Sequence, residues 1–232
     1  LWKDKYDLET LLEIKETLGP YDWNSLYQGK PSPKEGALFE ITKIGVVDKV
    51  PEGLRCCRGW DLASSIADDY TVGVKLCGPD LDGLWYIDDV VRGQMLTDAR
   101  NRLMMQTALM DGEECTIRVP QDPGQAGKDQ AEMLTRMFAG FKFRIKRMSG
   151  SKEARAEAFQ SMVGAGKVRM RRAHWNRDYL EELRSFPLGK NDDQVDATSD
   201  AFSELTLRRT VSAFSINGFQ GNYINKLSGI GL

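Results

Sequence analysis

Three short stretches of this 232-residue chain carry acidic side chains at spacings suited to a hard cation. In Arg58-Gly59-Trp60-Asp61-Leu62-Ala63, strand alternation puts Gly59, Asp61 and Ala63 on one face, so the Asp61 carboxylate has small neighbours and room for a hydrated ion. Thr116 to Pro120 reads as a strand that runs into Gln121-Asp122-Pro123-Gly124, which sets Asp122 at the carboxyl end of a central strand, where open α/β sheets place ligands. Lys190-Asn191-Asp192-Asp193-Gln194-Val195-Asp196 opens a helix, and Asp193 and Asp196, three residues apart, share one face. The plain alternatives are a solvent-facing Asp61 and a helix start whose acids answer the helix dipole, with Asn191 or Asp192 as the N-cap. Like charges at Asp193 and Asp196 repel unless a cation compensates, however, and oxygen-rich sets of this kind suit Mg²⁺ or Mn²⁺. Two such ions, about 4 Å apart, activate a water and stabilise the leaving oxygen of a phosphodiester. The catalytic set read from the sequence is therefore Asp61, Asp122, Asp193 and Asp196, with Asp192 added to the metal ligands.

That chemistry needs neither a histidine base nor a serine nucleophile, in keeping with a chain that has one histidine. His174, in Arg171-Arg172-Ala173-His174-Trp175, reads as a surface or packing residue. The segment Gly124 to Lys128 ends in Gly-Lys but lacks the GxxxxGK[ST] spacing of a nucleotide loop; its glycines suit a backbone that approaches a phosphate or a metal-bound water. The net charge is only −2, yet basic residues crowd into Phe141 to Arg184. Lys142, Arg144, Lys146 and Arg147 on one predicted strand, and Arg169, Arg171 and Arg172 further on, are the candidates for holding double-stranded DNA. Cys56, Cys57, Cys77 and Cys115 have no zinc spacing and are expected to be reduced and mostly buried. No apolar run is long enough to span a bilayer, and an N-terminus without signal peptide or Met suggests a piece of a larger cytoplasmic protein.

The elements that must position these residues follow from periodicity. Lys3 to Leu18 reads as an amphipathic helix and Tyr27 to Phe39 as a Gly/Pro-rich connector. Strands are expected at Arg55 to Ala63, Tyr70 to Cys77 and Leu84 to Arg92, close enough together for an antiparallel meander. Helices at Thr97 to Met110, Lys128 to Phe138 and Lys152 to Val163 then alternate with strands at Cys115 to Pro120, Phe141 to Met148 and Lys167 to Arg171, which predicts parallel pairing. Helices at Arg177 to Arg184 and Asp192 to about Arg208 precede a Gly/Asn/Ser-rich tail. Three antiparallel strands followed by a parallel half, flanked by helices, is the order of an α/β, ribonuclease H-like (integrase-like) fold. The division expected is a helix and linker over residues 1–50, a nuclease domain over 51–209 and a flexible tail over 210–232.

The chain resembles the C-terminal nuclease domain of tailed-bacteriophage terminase large subunits, the DNA-packaging proteins. The residues that carry the likeness are Gly59-Trp60-Asp61-Leu62-Ala63 with Asp69-Tyr70-Thr71, Tyr86 to Gln94, Pro120-Gln121-Asp122-Pro123-Gly124 and Asn191 to Ala197. The connector from Tyr27 to Phe39 is similar to the segment that joins the packaging ATPase to the nuclease. The resemblance implies a Mg²⁺- or Mn²⁺-dependent endonuclease that cuts concatemeric viral DNA. It implies as partners a portal protein, a small terminase subunit and an N-terminal ATPase domain, in the host cytoplasm and transiently at the procapsid portal, away from any membrane. Many relatives begin the closing motif with His where this sequence has Asn191. Which of Asp192, Asp193 and Asp196 ligates metal differs among them. A junction resolvase or transposase-like nuclease, and a non-catalytic DNA- or portal-binding module, are the competing readings.

Overall fold

The computed structural model describes residues 38–63, 70–147 and 151–218, with side chains up to 207. Among them, seven strands make one mixed sheet: β1 (Gly45–Val47), β2 (Cys56–Asp61), β3 (Thr71–Cys77), β4 (Trp85–Gly93), β5 (Thr116–Gln121), β6 (Phe143–Arg147) and β7 (Val168–Arg171). Their order is β1-β7-β4-β3-β2-β5-β6. β3 runs antiparallel to both β2 and β4, and every other pairing is parallel. The expected meander and parallel half are therefore both present, and the carboxyl ends of β2, β4, β5, β6 and β7 lie along one edge.

Helices α1 (Thr97–Asp111) and α2 (Gln125–Met137) cover one face, where Met104, Ala108, Leu134 and Phe138 pack on Trp60, Ile117 and Val119. Helices α3 (Lys152–Gly164), α4 (Asn176–Ser185) and α5 (Asp193–Gly218) cover the other, where Phe159, Tyr179, Ala201 and Phe202 pack on Cys57, Val74, Trp85 and Ile87. Strand alternation decides which residue meets which layer. Trp60 of β2 goes to the α1/α2 side, while Gly59 and Asp61 go to the α3/α4/α5 side.

Several boundaries differ from the sequence reading. Residues 38–50 pack with this domain: β1 pairs with β7, and Phe39 is buried with its ring 5.9 Å from those of Phe159 and Phe186. A three-residue edge strand offers too short a pattern for periodicity to find. Helix α2 begins at Gln125, three residues early, and its glycine serves packing. A Cβ on Gly127 would stand 2.2 Å from the Asp122 carbonyl oxygen, so only glycine lets the first turn lie against the end of β5. Helix α5 continues to Gly218, into the expected tail, because no proline or glycine interrupts it after Asp193. The expectation of reduced thiols fails for one pair: Cys56 and Cys77, directly opposite each other on β2 and β3, form a disulfide. Cys57 and Cys115 are free and buried as expected. The expected helix at Lys3 to Leu18, the body of the connector, Asp69 and the tail beyond Gly218 lie outside the described residues.

Candidate active site

Asp61 ends β2, half-buried, at the edge where the first turn of α5 crosses the sheet. The crossing is close because Gly59 has no side chain: a Cβ there would be 2.0 Å from the carbonyl oxygen of Ala197. Helix α4 fixes the same turn from the other side. The buried Glu182 carboxylate accepts the Gln194 backbone N–H at 2.5 Å and the Gln194 amide at 2.6 Å, and Tyr179 Oη bonds Thr198 Oγ1 at 2.9 Å. Glu182 thus takes up one of the helix's orphan N–H groups, a role usually left to a capping residue in the sequence next to it.

This packing brings Asp61 beside the acids of α5. Its solvent-poor surroundings, then the charges of Asp196 and Asp193, raise its pKa to about 8 against the opposing pull of Lys152. Asp192 adds to the rise. Helix α3 supplies the counter-charges, its N-terminus fixed by the Ser151 hydroxyl, which accepts the Ala154 N–H at 3.2 Å. Lys152 Nζ lies 2.6 Å from an Asp192 oxygen and 3.5 Å from one of Asp196, and Arg155 donates to Asp196 at 2.8 Å. Asp122 is exposed at the end of β5, the parallel neighbour of β2, and so lies on the same edge as Asp61. Among the described residues no three His, Cys, Asp or Glu side chains converge on a common point; the oxygens of Asp192 and Asp196 are turned to Lys152 and Arg155. The donor set is nevertheless all carboxylate, the kind hard divalent cations prefer.

The basic candidates separate into two groups. On β6, Phe143 stacks against Phe138 on the α2 side, with ring centroids 5.1 Å apart, so Arg144 and Lys146 face the α5 side, as Asp61 does. Lys142 pairs with Glu114, and Arg147 is exposed. On β7, Val168 and Met170 are in the α5-side core, which turns Arg169 and Arg171 to the opposite face. There Arg171 pairs with Asp88 at 3.0 Å and Asp89 at 3.5 Å, and Arg169 donates to the backbone of Gly166 and Val168. Arg172 pairs with the exposed Asp48, and His174 is exposed. Sequence reasoning missed Glu182, and it left Lys152 and Arg155 in the general run of basic residues. It also missed Arg118, a charge buried at a core-facing position of β5 and paired with Glu204 at 3.3 Å. An arginine within Thr-Ile-Arg-Val-Pro was the available signal.

Comparisons with known proteins agree with this fold. Among solved structures, the large terminase nuclease from thermophilic phage G20c with bound zinc matches with a TM-score of 0.55 and 20% identity, over 72% of this chain and 98% of that one. The P22 large terminase nuclease domain matches at 0.56 and 15%, over 75% and 93%. The g2p large terminase nuclease domain from bacteriophage SPP1 with bound Mn matches at 0.50 and 10%, over 71% and 97%. No curated protein matches the chain. At such identities the likeness is one of fold, the mixed-sheet ribonuclease H-like fold. The family model for the terminase RNaseH-like domain matches residues 58–205, well over half the sequence and a span that encloses Asp61, Asp122 and Asp193 to Asp196. The chain belongs to the terminase RNaseH-like domain family.

Proposed function

We propose that this domain is a divalent-metal-dependent endonuclease that hydrolyses phosphodiester bonds of double-stranded, concatemeric viral DNA during genome packaging. The observation that carries the reading is the placement of Asp61, at the end of β2, beside the acidic first turn of α5 at the carboxyl edge of the sheet. A purely structural role for these acids is opposed by Asp61. Asp193 and Asp196 gain from the helix dipole, but no helix end benefits from a third carboxylate driven against them.

Asp61, Asp193 and Asp196 would hold the ions, with Asp122 and Asp192 at the rim. When bound, Mg²⁺ or Mn²⁺ supplies Lewis acidity for the attacking water and for the charge on the leaving 3′ oxygen. The G20c and SPP1 nuclease structures were solved with zinc and manganese, which supports divalent-ion use without fixing the ion. Lys152 and Arg155 offset the carboxylate charge from α3. Arg144, Lys146 and Arg147, on the α5 side or at the open end of β6, are placed to hold DNA phosphates against the repulsion of the acids. Arg169, Arg171 and Arg172 are engaged elsewhere, so the DNA track is assigned to β6. Packaging would supply the remaining partners, a portal protein, a small terminase subunit and an ATPase domain, in the host cytoplasm. Among the described residues no helix is long and apolar enough to cross a membrane.

The test is nicking of supercoiled plasmid with Mg²⁺ or Mn²⁺. Cutting is expected in the wild type and absent in Asp61→Asn, whose metal-free melting temperature is no lower than wild type because the exchange removes a repelled charge. Cutting that persists in excess EDTA, or in Asp61→Asn, would refute the reading.

A further inference from the structure

One turn beyond the acidic cluster, between the open end of β6, the start of α3 and the middle of α5, lies a cleft of about 260 Å³. Among the described residues its lining includes Arg118, Lys146, Arg147 and Arg155, one carboxylate, Asp200, and Ser203 of α5. Arg155 is paired with Asp196 and Arg118 with Glu204, so the positive charge left over in the cleft comes from Lys146 and Arg147. Arg118 has a side chain only 5% exposed, and although one guanidinium nitrogen pairs with Glu204, its buried Nε has no partner among the described residues. Leaving a buried donor unsatisfied is costly, and a site that receives an anion recovers that cost. Four cationic side chains from β5, β6 and α3 converge on the cleft, whereas a merely solvated face would spread them. The volume admits a phosphate group with several waters, since each water takes about 30 Å³.

We propose that this cleft is a subsite for a backbone phosphate of the bound DNA strand, set apart from the phosphate that the carboxylates address. The spacing suits it. Asp200 and Ser203 stand four and seven residues past Asp196 on α5, which is about 6 to 10 Å along the axis. A DNA strand advances about 3.4 Å per nucleotide, so the cleft meets the phosphate two or three nucleotides from the cut. The ligand's identity as DNA rests on the nuclease reading; the anion site itself does not. Free inorganic phosphate is the other source of the same chemistry.

The test is duplex binding over a salt series in Ca²⁺, which requires no cutting. Ser203→Glu puts a carboxylate among the cations and should lower affinity about tenfold and reduce the slope of log affinity against log salt by about one unit, the signature of one lost phosphate contact. Gln160→Glu, on α3 and outside the cleft lining, adds the same charge and should change neither by more than about twofold, since only the general field is altered. Should Ser203→Glu show no cooperative melt, Arg147→Gln at the exposed rim carries the same expectation for the slope. Equal effects of Ser203→Glu and Gln160→Glu overturn the proposal. So does protection of the melting temperature by inorganic phosphate, lost in Ser203→Glu, with duplex affinity unchanged; the cleft would then serve a free anion. Absence of plasmid nicking, with this binding pattern intact, would count against the nuclease reading alone.

Discussion

Replacing Gly59 with alanine tests the contact on which the candidate site depends. The new Cβ would be 2.0 Å from the Ala197 oxygen and 2.9 Å from the Ala201 nitrogen, where ordinary contact begins at 3.4 Å. Both are backbone atoms of α5, so no rotamer change relieves the clash, and the helix must retreat by about 1.4 Å. Gly59 itself is held centrally, paired to Val74 of β3 on one side and to Arg118 of β5 on the other. Overpacking a core usually costs about 1–3 kcal/mol, and a clash against the backbone of α5 belongs at the upper end or above, roughly 3 kcal/mol. Asp193 and Asp196 travel with the helix while Asp61 stays with the strand, and a misplacement of about 1 Å is enough for a loss on the order of 100-fold in rate. Urea unfolding measures the first effect, and plasmid nicking at a temperature where the variant is folded measures the second. Gly73→Ala is the control, because its Cβ would meet the Trp60 ring at 2.8 Å on the opposite face. It should cost about 1–2 kcal/mol and leave nicking within about threefold. A Gly59→Ala protein that is within about 1 kcal/mol of wild type and nicks normally would show that α5 does not rest on β2 as described.

Arg58→Met should cost about 3–5 kcal/mol in urea unfolding, because it strips the buried Asp111 of its nearest cation and leaves it, among the described residues, with Lys75 at 3.4 Å. Nicking per folded molecule should be unchanged, and a loss under about 1 kcal/mol would mean the pair contributes little. Lys152→Met should lower, severalfold, the Mg²⁺ or Mn²⁺ concentration that gives half-maximal thermal protection, since an ammonium 2.6 Å from Asp192 no longer competes for the carboxylates. A midpoint that stays put or rises would assign Lys152 to assisting the ion.

Much of the fold was legible because it is written in local patterns. The meander declares itself through β-rich runs such as Thr71 to Cys77 between turn formers, and the parallel half through its alternation with helices. The places of Asp61 and Asp122 at the ends of β2 and β5 were legible because strand ends are sequence features. What escaped depends on approach between distant segments. Glu182 caps a helix that starts eleven residues later, Arg118 meets Glu204 eighty-six residues on, and Cys56 reaches Cys77 through pairing register. Gly127 was read for what it frees and not for what it touches, although the contact is with a carbonyl five residues earlier. The arginines of β7 illustrate the limit of charge runs. Arg171 counts as basic surface in the sequence, and in the fold it is a partner of Asp88 and Asp89.

That pairing separates two groups of acids that composition cannot tell apart. On the α1 side of the sheet, Asp88, Asp89 and Asp111 are interleaved with Arg58, Lys75 and Arg171, three anions against three cations, each within ion-pair distance of a partner. Such a network is closed: adding a divalent cation would break as many contacts as it made. On the α5 side, Asp61, Asp192, Asp193 and Asp196 gather with Lys152 and Arg155, and the consequence appears at Asp61, which is pushed toward its protonated form. A fold gains no stability from driving a carboxylate into that position, which is the argument for the proposed divalent cation as the missing positive charge. The first group holds the sheet together, and the second is where the proposed nuclease activity would address its substrate's phosphates.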